Sequence, residues 1–405
     1  MTGYVARAIP GRFAVACAII LIAFNLRPAL SSLAPVLDEV MRDTGLSAAG
    51  ASIMTTAPVF CMGLFGSVAP WLARRIGPER TALLVLAAVA AGTAWRGAAT
   101  VPALLAGSLL AGIGIGIGNV LIPALLKRDF ADRALLMTGC YTMALCLGAA
   151  AAAGLTAPLR DAFGESWAWA LAAWAVPAAL AAGFASVVWA ARIGPSSAGA
   201  PPRPLQRVRG LWRDPVAWQV TLYMGLQSAL AYVVFGWLAP ILRSRGDSAV
   251  EAGLVTSVSV LTQVAATLPV PMLVGRLRSQ SVPATLAMLV TGIGFIGLLF
   301  APLSWQWGFA VALGLGMGAS FAQAVMFIVQ RAADSHVASQ LSSMSQSVGY
   351  VIAAAGPLVA GALHDLTGDW SMVGVMAVVI CVASGIAGWL AGRPVMVGAG
   401  RRQPG

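Results

Sequence analysis

RIGPSSAGAPPRPLQRVRGLWRD, residues 192–214, carries four prolines (Pro195, Pro201, Pro202, Pro204) and five arginines, the composition of an exposed polar linker. On each side of it lie six apolar runs separated by turn or charge signals. They cover about 13–41, 48–73, 81–98, 102–127, 134–158 and 167–191, then 215–243, 250–275, 282–302, 306–330, 337–363 and 370–392. A helix needs about 20 apolar residues to cross a bilayer, so each run is long enough to cross once. The expected fold is an all-α membrane protein of twelve transmembrane helices. It divides into an N-terminal six-helix bundle (1–191), a linker (192–214) and a C-terminal six-helix bundle (215–405).

Composition supports this reading. Hydrophobic residues make up 59% of the 405 and charged ones only 10%, with a mean hydropathy of +0.85. Soluble chains carry about 25% charged residues, so a soluble enzyme, a disordered protein and a secreted scaffold are excluded. The net charge of +11 follows the positive-inside bias of membrane loops, not nucleic-acid binding. With both termini in the cytoplasm, nineteen Lys and Arg residues fall in inside loops and five outside (Arg42, Arg96, Arg160, Arg243, Arg245). Arg27 alone remains within the membrane. All five cysteines lie in apolar runs and read as buried thiols, and no motif calls for a metal or cofactor. The first run continues past Asn25 without a cleavage site, so it reads as a span and not a signal peptide. The chain is expected to reside in a plasma or inner membrane, as a monomer whose partners are lipid and a small solute.

The two halves repeat. Ala34-Pro35-Val36-Leu37 in run 1 recurs as Ala239-Pro240-Ile241-Leu242 in run 7. Gly112, Gly114, Gly116 and Gly118 in run 4 are echoed by Gly314, Gly316 and Gly318 in run 10, and each run ends in basic residues, Lys127-Arg128 and Arg331. A pseudo-two-fold relation between the bundles follows. No strand precedes the run 4 glycines, so they are expected to serve close helix approach and not dinucleotide binding. Large polar residues inside the membrane are costly and normally face protein or water. They include Asn25, Arg27, Asn119, Tyr141, Tyr223, Gln227, Tyr232, Gln263, Gln323, Gln340, Gln346 and Tyr350, and they avoid runs 3, 6, 9 and 12. Two stripes at helical spacing, Thr256-Ser259-Gln263-Thr267 and Ser339-Ser342-Gln346-Tyr350, are expected to line a polar cavity between the bundles, with interhelical contact as the alternative.

This organisation resembles the major facilitator superfamily over nearly the whole chain. The loop Ala73-Arg74-Arg75-Ile76-Gly77-Pro78-Glu79-Arg80 is similar to that superfamily's signature at Arg75, Gly77 and Arg80, but Arg74 stands where the family has Asp. The resemblance therefore implies a packing role for the loop, with Asp129, Asp132 and Asp334 as candidate partners for its arginines and Arg331 at the equivalent end of the second half. Asn25-Leu26-Arg27-Pro28, with Thr55 to Pro58 in the second run, resembles the cyanate and 2-nitroimidazole transporter family. That implies a small polar or anionic substrate moved by alternating access.

Arg27 lies near the midplane, where an arginine costs about 2.5–3.5 kcal/mol on translocon scales. No Asp or Glu sits at comparable depth. A bound anion would supply the missing charge; alternatively, carbonyls freed where Pro28 interrupts the helix would satisfy the guanidinium. Asn25 shares Arg27's face only if Pro28 distorts the helix. Asn119, Tyr141, Gln227, Gln263, Gln323, Gln346 and Tyr350 are the candidates to complete the site. A second reading makes Arg27 structural and stacks a small aromatic export substrate on tyrosines and Trp237. A membrane enzyme is disfavoured, because the chain has no HExxH, CxxC or nucleophile elbow.

Overall fold

The computed structural model describes residues 11–190 and 210–398. Most of the 192–214 linker, with Arg192, Arg203, Arg207 and Arg209, lies outside the described residues. The described residues are helical and contain no strand. Twelve helical spans are long and apolar enough to cross a membrane: Arg12–Thr44, Ala48–Ile76, Pro78–Ala98, Val101–Asp129, Leu136–Ala162, Trp167–Trp189, Pro215–Ser244, Ala249–Val274, Ser281–Phe300, Leu303–Gln330, Val337–Thr367 and Ser371–Ala391. We number them spans 1 to 12. Their starts follow ordinary capping chemistry. Ser47 and Thr100 accept hydrogen bonds from backbone N–H groups at the starts of spans 2 and 4, and Asp214 does so for span 7. Ser248 and Glu251 form a reciprocal capping box at span 8.

Packing repeats between the halves. Span 1 packs on spans 5 and 6, as span 7 packs on 11 and 12. Span 4 packs on 2 and 3, as span 10 packs on 8 and 9. The main contacts between halves, span 2 on 11 and span 5 on 8, interchange under the same relation. The glycine rows explain the repeat atom by atom. Gly112 and Gly116 face the span 2 backbone at Pro58 and Met62, while Gly314 and Gly318 face the span 8 backbone at Ser259 and Gln263. Gly114 and Gly316 face the backbones of spans 3 and 9 at Val85 and Thr291. A Cβ at Gly116 would lie 2.9 Å from the Met62 Cα, so the helices meet there backbone to backbone. Spans 6, 9 and 12 turn large apolar side chains outward, among them Leu180, Val187, Ile293, Val379 and Ile386, as a lipid-facing surface requires.

Span 1 is not one helix. An α-helix ends at Asn25, four helical residues follow from Pro28, a 3-10 turn covers Ala34–Val36, and the helix resumes at Leu37. Pro28 and Pro35 lack the N–H groups a continuous helix would need. The Phe24 carbonyl, freed by Pro28, packs against Gly148 of span 5, where any Cβ would collide with it. Gly183, on span 6, has open space around its Cα. Gly148→Leu is therefore expected to lower the unfolding midpoint in detergent, at a cost of about 1–3 kcal/mol or more, while Gly183→Leu leaves it within a degree or two. Equal effects of the two changes would disprove the close span 1–span 5 contact.

Candidate functional site

Arg27 occupies the break in span 1, with backbone φ −111° and ψ −30°, and its carbonyl accepts from Leu30 and Ser31. Its side chain is partly exposed while Leu26 and Pro28 beside it are buried. The ionisable groups around the guanidinium are Tyr232, Tyr350, Cys146 and Tyr141, none of them a carboxylate. Tyr232 stands beside Arg27. Its hydroxyl also points at the Met62 sulfur, 3.8 Å away, and its ring meets those of Tyr350 and Phe235 edge-on at 6.3 and 6.0 Å. Arg27 makes no ion pair among the described residues. A cation, three phenols and a thiol from spans 1, 5, 7 and 11 thus converge between the halves. The set offers hydrogen-bond donors and aromatic faces but no fixed negative charge.

The sequence candidates divide accordingly. Tyr141 and Tyr350 stand beside Arg27. Asn25 is buried and donates to its own helix at the Leu21 carbonyl (2.8 Å), leaving its oxygen without a partner. Asn119 is partly exposed with an unpartnered amide nitrogen, one residue beyond Gly118, which packs on Leu26. Gln346 donates to Ser342 (2.9 Å), four residues before Tyr350 on the same helix. Gln227 is buried and donates to Ser228 (2.7 Å) and the Met224 carbonyl (3.2 Å), both on its own span. Gln323 is buried against span 9, where it donates to the Pro283 carbonyl (3.3 Å), inside the second bundle. Gln263 presses its backbone onto Gly318.

Three expectations need correction. In the Thr256-Ser259-Gln263-Thr267 stripe, Thr256 and Ser259 are fully buried in a helix-packing seam and Thr267 bonds the Gly318 carbonyl (3.3 Å), while Gln263 and Thr267 remain partly exposed. Trp237 is inaccessible, with no exposed surface and its N–H on the Pro357 carbonyl (3.0 Å), so it has no face for a ligand. Arg96 is not an outside-loop cation but a buried one, 1% exposed. Sequence reading also left Tyr232 out of the site. The repeat carries the missing signal: Arg27 stands seven residues before Ala34, and Tyr232 seven before its counterpart Ala239.

The loop cations also take other partners than expected. Gly77 adopts φ +91°, a conformation natural to glycine, and turns span 2 into span 3. Arg75 lies over the Trp71 ring at 5.3 Å, and Arg74 and Arg80 make no ion pair among the described residues. The loop's acid is Glu79, buried and bound by Arg128 at 2.7 Å; Arg128 also holds Asp129 at 2.8 Å. Asp132 pairs with Arg12. The Arg12 hydrogen bond holds the Asp132 carboxyl below the usual carboxylate range, so this pair is intact at neutral pH and lost as pH falls through that lowered value. Asp334 caps the Val337 N–H (2.8 Å). Arg331 binds Gln280 and the carbonyls of Ala391 (2.7 Å) and Gly392 (3.1 Å), all within the second bundle.

At the face opposite Arg12 the halves are joined ionically. Glu39 of span 1 is shared by Arg160 of span 5 and Arg243 of span 7, the latter at 2.7 Å. Arg243 also meets Asp38 at 3.2 Å and the Pro35 carbonyl at 3.4 Å. Asp365 of span 11 accepts from the Ala48 and Ala49 N–H groups at the start of span 2 (2.9 and 2.7 Å). Ion pairs at the Arg12 face described above stay within one bundle. Glu39→Gln removes the charge two arginines share and is expected to loosen this seal. In a background with the native cysteines replaced, a cysteine at the buried Ala34 is then expected to react several-fold faster with a maleimide. An unchanged rate would show that the network does not close that face.

The family model of the Major Facilitator Superfamily matches residues 14–357. The chain is 34% identical over 386 residues to the 2-nitroimidazole transporter of Escherichia coli (strain K12), covering 94% of this chain and 96% of that protein. It is 30% identical over 355 residues to the cyanate transport protein CynX of the same organism, covering 87% and 91%. The crystal structure of a D-xylose–proton symporter superposes with a TM-score of 0.68 at 14% identity, over 96% of this chain and 99% of that one, a likeness of fold alone. The chain belongs to the major facilitator superfamily, and within it to the family of the cyanate and 2-nitroimidazole transporters: it is a multi-pass membrane transporter of small solutes.

Proposed function

We propose that the substrate is a small monovalent anion, bound by Arg27 between the two bundles and carried by alternating access. The observation behind this reading is the Arg27 guanidinium, which has phenols and a thiol around it and no ion-pair partner among the described residues. A lone cation deep in the membrane is expensive, and a bound anion offsets that expense by pairing with it. Tyr232, Tyr350 and Tyr141 supply neutral hydroxyl donors from both halves, so an occupied site would draw the bundles together. Asn119 carries an unpartnered amide nitrogen that suits an anion equally well. The cyanate transport protein among the relatives is consistent with such a substrate.

In this reading residues 1–191 and 215–405 move as two bodies about the 192–214 linker, the Arg12 face and both termini are cytoplasmic, and the monomer is the working unit in a plasma or inner membrane. The ring of tyrosines also supports a second reading, export of a neutral heteroaromatic, in keeping with the 2-nitroimidazole transporter among the relatives. Trp237 has no part in it. Thermal unfolding of purified wild type and Arg27→Ala with cyanate, nitrite, nitrate, small carboxylates and neutral nitroimidazoles separates the two. A ligand at 100 times its Kd adds about 2.7 kcal/mol of stability. One anion is expected to stabilise the wild type and not the mutant. Stabilisation of both proteins by neutral heterocycles alone would replace the anion reading with the export reading.

A further inference from the structure

Arg96 lies at the end of span 3, on the 3-10 turn Arg96–Ala98, and only 1% of it is exposed. It has no carboxylate partner among the described residues. Its guanidinium donates instead to the Ala29 carbonyl (2.8 Å), the Ser108 hydroxyl of span 4 (3.1 Å) and the Ser32 hydroxyl (3.5 Å), and its Nε remains without a partner. A buried arginine held only by neutral acceptors is a poor way to fill space, because a methionine of similar length would avoid the desolvation. What it touches gives it a purpose. Ala29 and Ser32 lie in the irregular part of span 1, between Pro28 and Pro35. In a continuous helix the Leu33 N–H would bond the Ala29 carbonyl, but the helix stops at Ser31 and the Arg96 guanidinium takes that donor's place.

We infer that Arg96 is a positioning residue: it satisfies the broken backbone of span 1, fixes residues 28–36 to spans 3 and 4, and so sets where Arg27 and the Glu39 network stand. The held segment joins two functional ends. Arg27 immediately precedes it, and Pro35, whose carbonyl accepts from Arg243, closes it just before Asp38 and Glu39. Spans 5, 7 and 8 of both bundles pack against it. A segment that carries both the solute site and the seal transmits motion between them only if its middle is anchored, and Arg96 with Ser108 is the anchor from outside the span. This inference does not depend on what binds at Arg27.

The test needs no ligand. Hydrogen–deuterium exchange of the purified full chain is followed in peptides covering 26–40 and, as a control, in peptides of spans 9 and 12. Peptide-resolved alkylation of Cys146 by N-ethylmaleimide reports the surroundings of Arg27. Arg96→Met is expected to raise exchange in 26–40 at least ten-fold, leave the controls unchanged and shift the Cys146 rate several-fold. Ser108→Ala, a mild change, is expected to move the same two readouts in the same direction by less. Arg96→Lys, which keeps a charged donor, is expected to restore most of the protection. Exchange raised equally in the control peptides would reduce Arg96 to a general packing residue. Unchanged exchange in 26–40 and an unchanged Cys146 rate, in either Arg96→Met or Ser108→Ala, would overturn the proposal.

Discussion

The first span holds a guanidinium midway along its length, at Arg27, and much of the molecule follows from how that is accommodated. An arginine on an intact helix at that depth would face lipid or packed side chains at a cost of several kcal/mol. Here the helix stops at Asn25, turns through Leu26 and Arg27, and restarts at Pro28. The break sets Arg27 into a space lined by phenols from spans 5, 7 and 11. Breaking a helix exposes backbone carbonyls, and each must find a donor or a close neighbour. Gly148 lets span 5 pack directly onto the Phe24 carbonyl, and Arg96 donates to the Ala29 carbonyl. The break at Arg27 thus goes with a glycine on one neighbour and a second buried cation beside another.

The repeat explains why the site and the seal share one line. Aligning Ala34-Pro35-Val36-Leu37 with Ala239-Pro240-Ile241-Leu242 pairs Arg27 with Tyr232 and Asp38 with Arg243. In the structure these equivalent residues come together: Tyr232 stands beside Arg27, and Arg243 meets Asp38 at 3.2 Å. Residues related by a two-fold operation can meet only on its axis. Both contacts therefore lie on the pseudo-two-fold axis, eleven residues apart along the same two spans. Each pair is asymmetric in chemistry although symmetric in position. Cation meets phenol at one level and cation meets carboxylate at the other, so the deeper cation keeps its charge uncompensated and the outer one does not.

Span number and the lack of a carboxylate beside Arg27 were legible because hydropathy and the scarcity of charge act locally and leave marks on composition. Side-chain direction was not legible to the same degree. The Thr256-Ser259-Gln263-Thr267 stripe has the spacing of a cavity lining, but the facing glycines of span 10 convert it into a packing seam. Small hydroxyls suit close backbone contact as well as they suit water. Gln227 and Gln323 are turned elsewhere for a related reason: a glutamine's amide nitrogen can bond its own or a neighbouring helix without facing a cavity. Arg96 sits beside a loop, and nothing in the local sequence says that the chain folds it inward. Tyr232 was recoverable from the repeat offset, a non-local signal, rather than from its own neighbourhood.

A transporter must hold its halves together while letting them move, and the contacts divide that labour by type. Crossings between the halves are narrow. Gly63 of span 2 faces the span 11 backbone at Ser347, Gly253 of span 8 faces the Ala153 carbonyl of span 5, and Gly236 of span 7 faces Thr55 of span 2. Such surfaces slide or tilt without large side chains having to unlock from one another. Ionic contacts between described residues of opposite halves are confined to the face of Glu39, where Arg243 meets Asp38 and Glu39. Closing one end with charge and hinging the middle on small residues leaves the Arg27 level as the place where an added ligand changes the balance most. A solute bridging Arg27 and the phenols of the other half would add attraction on the axis itself, where relative tilt of the two bundles disturbs the contact least.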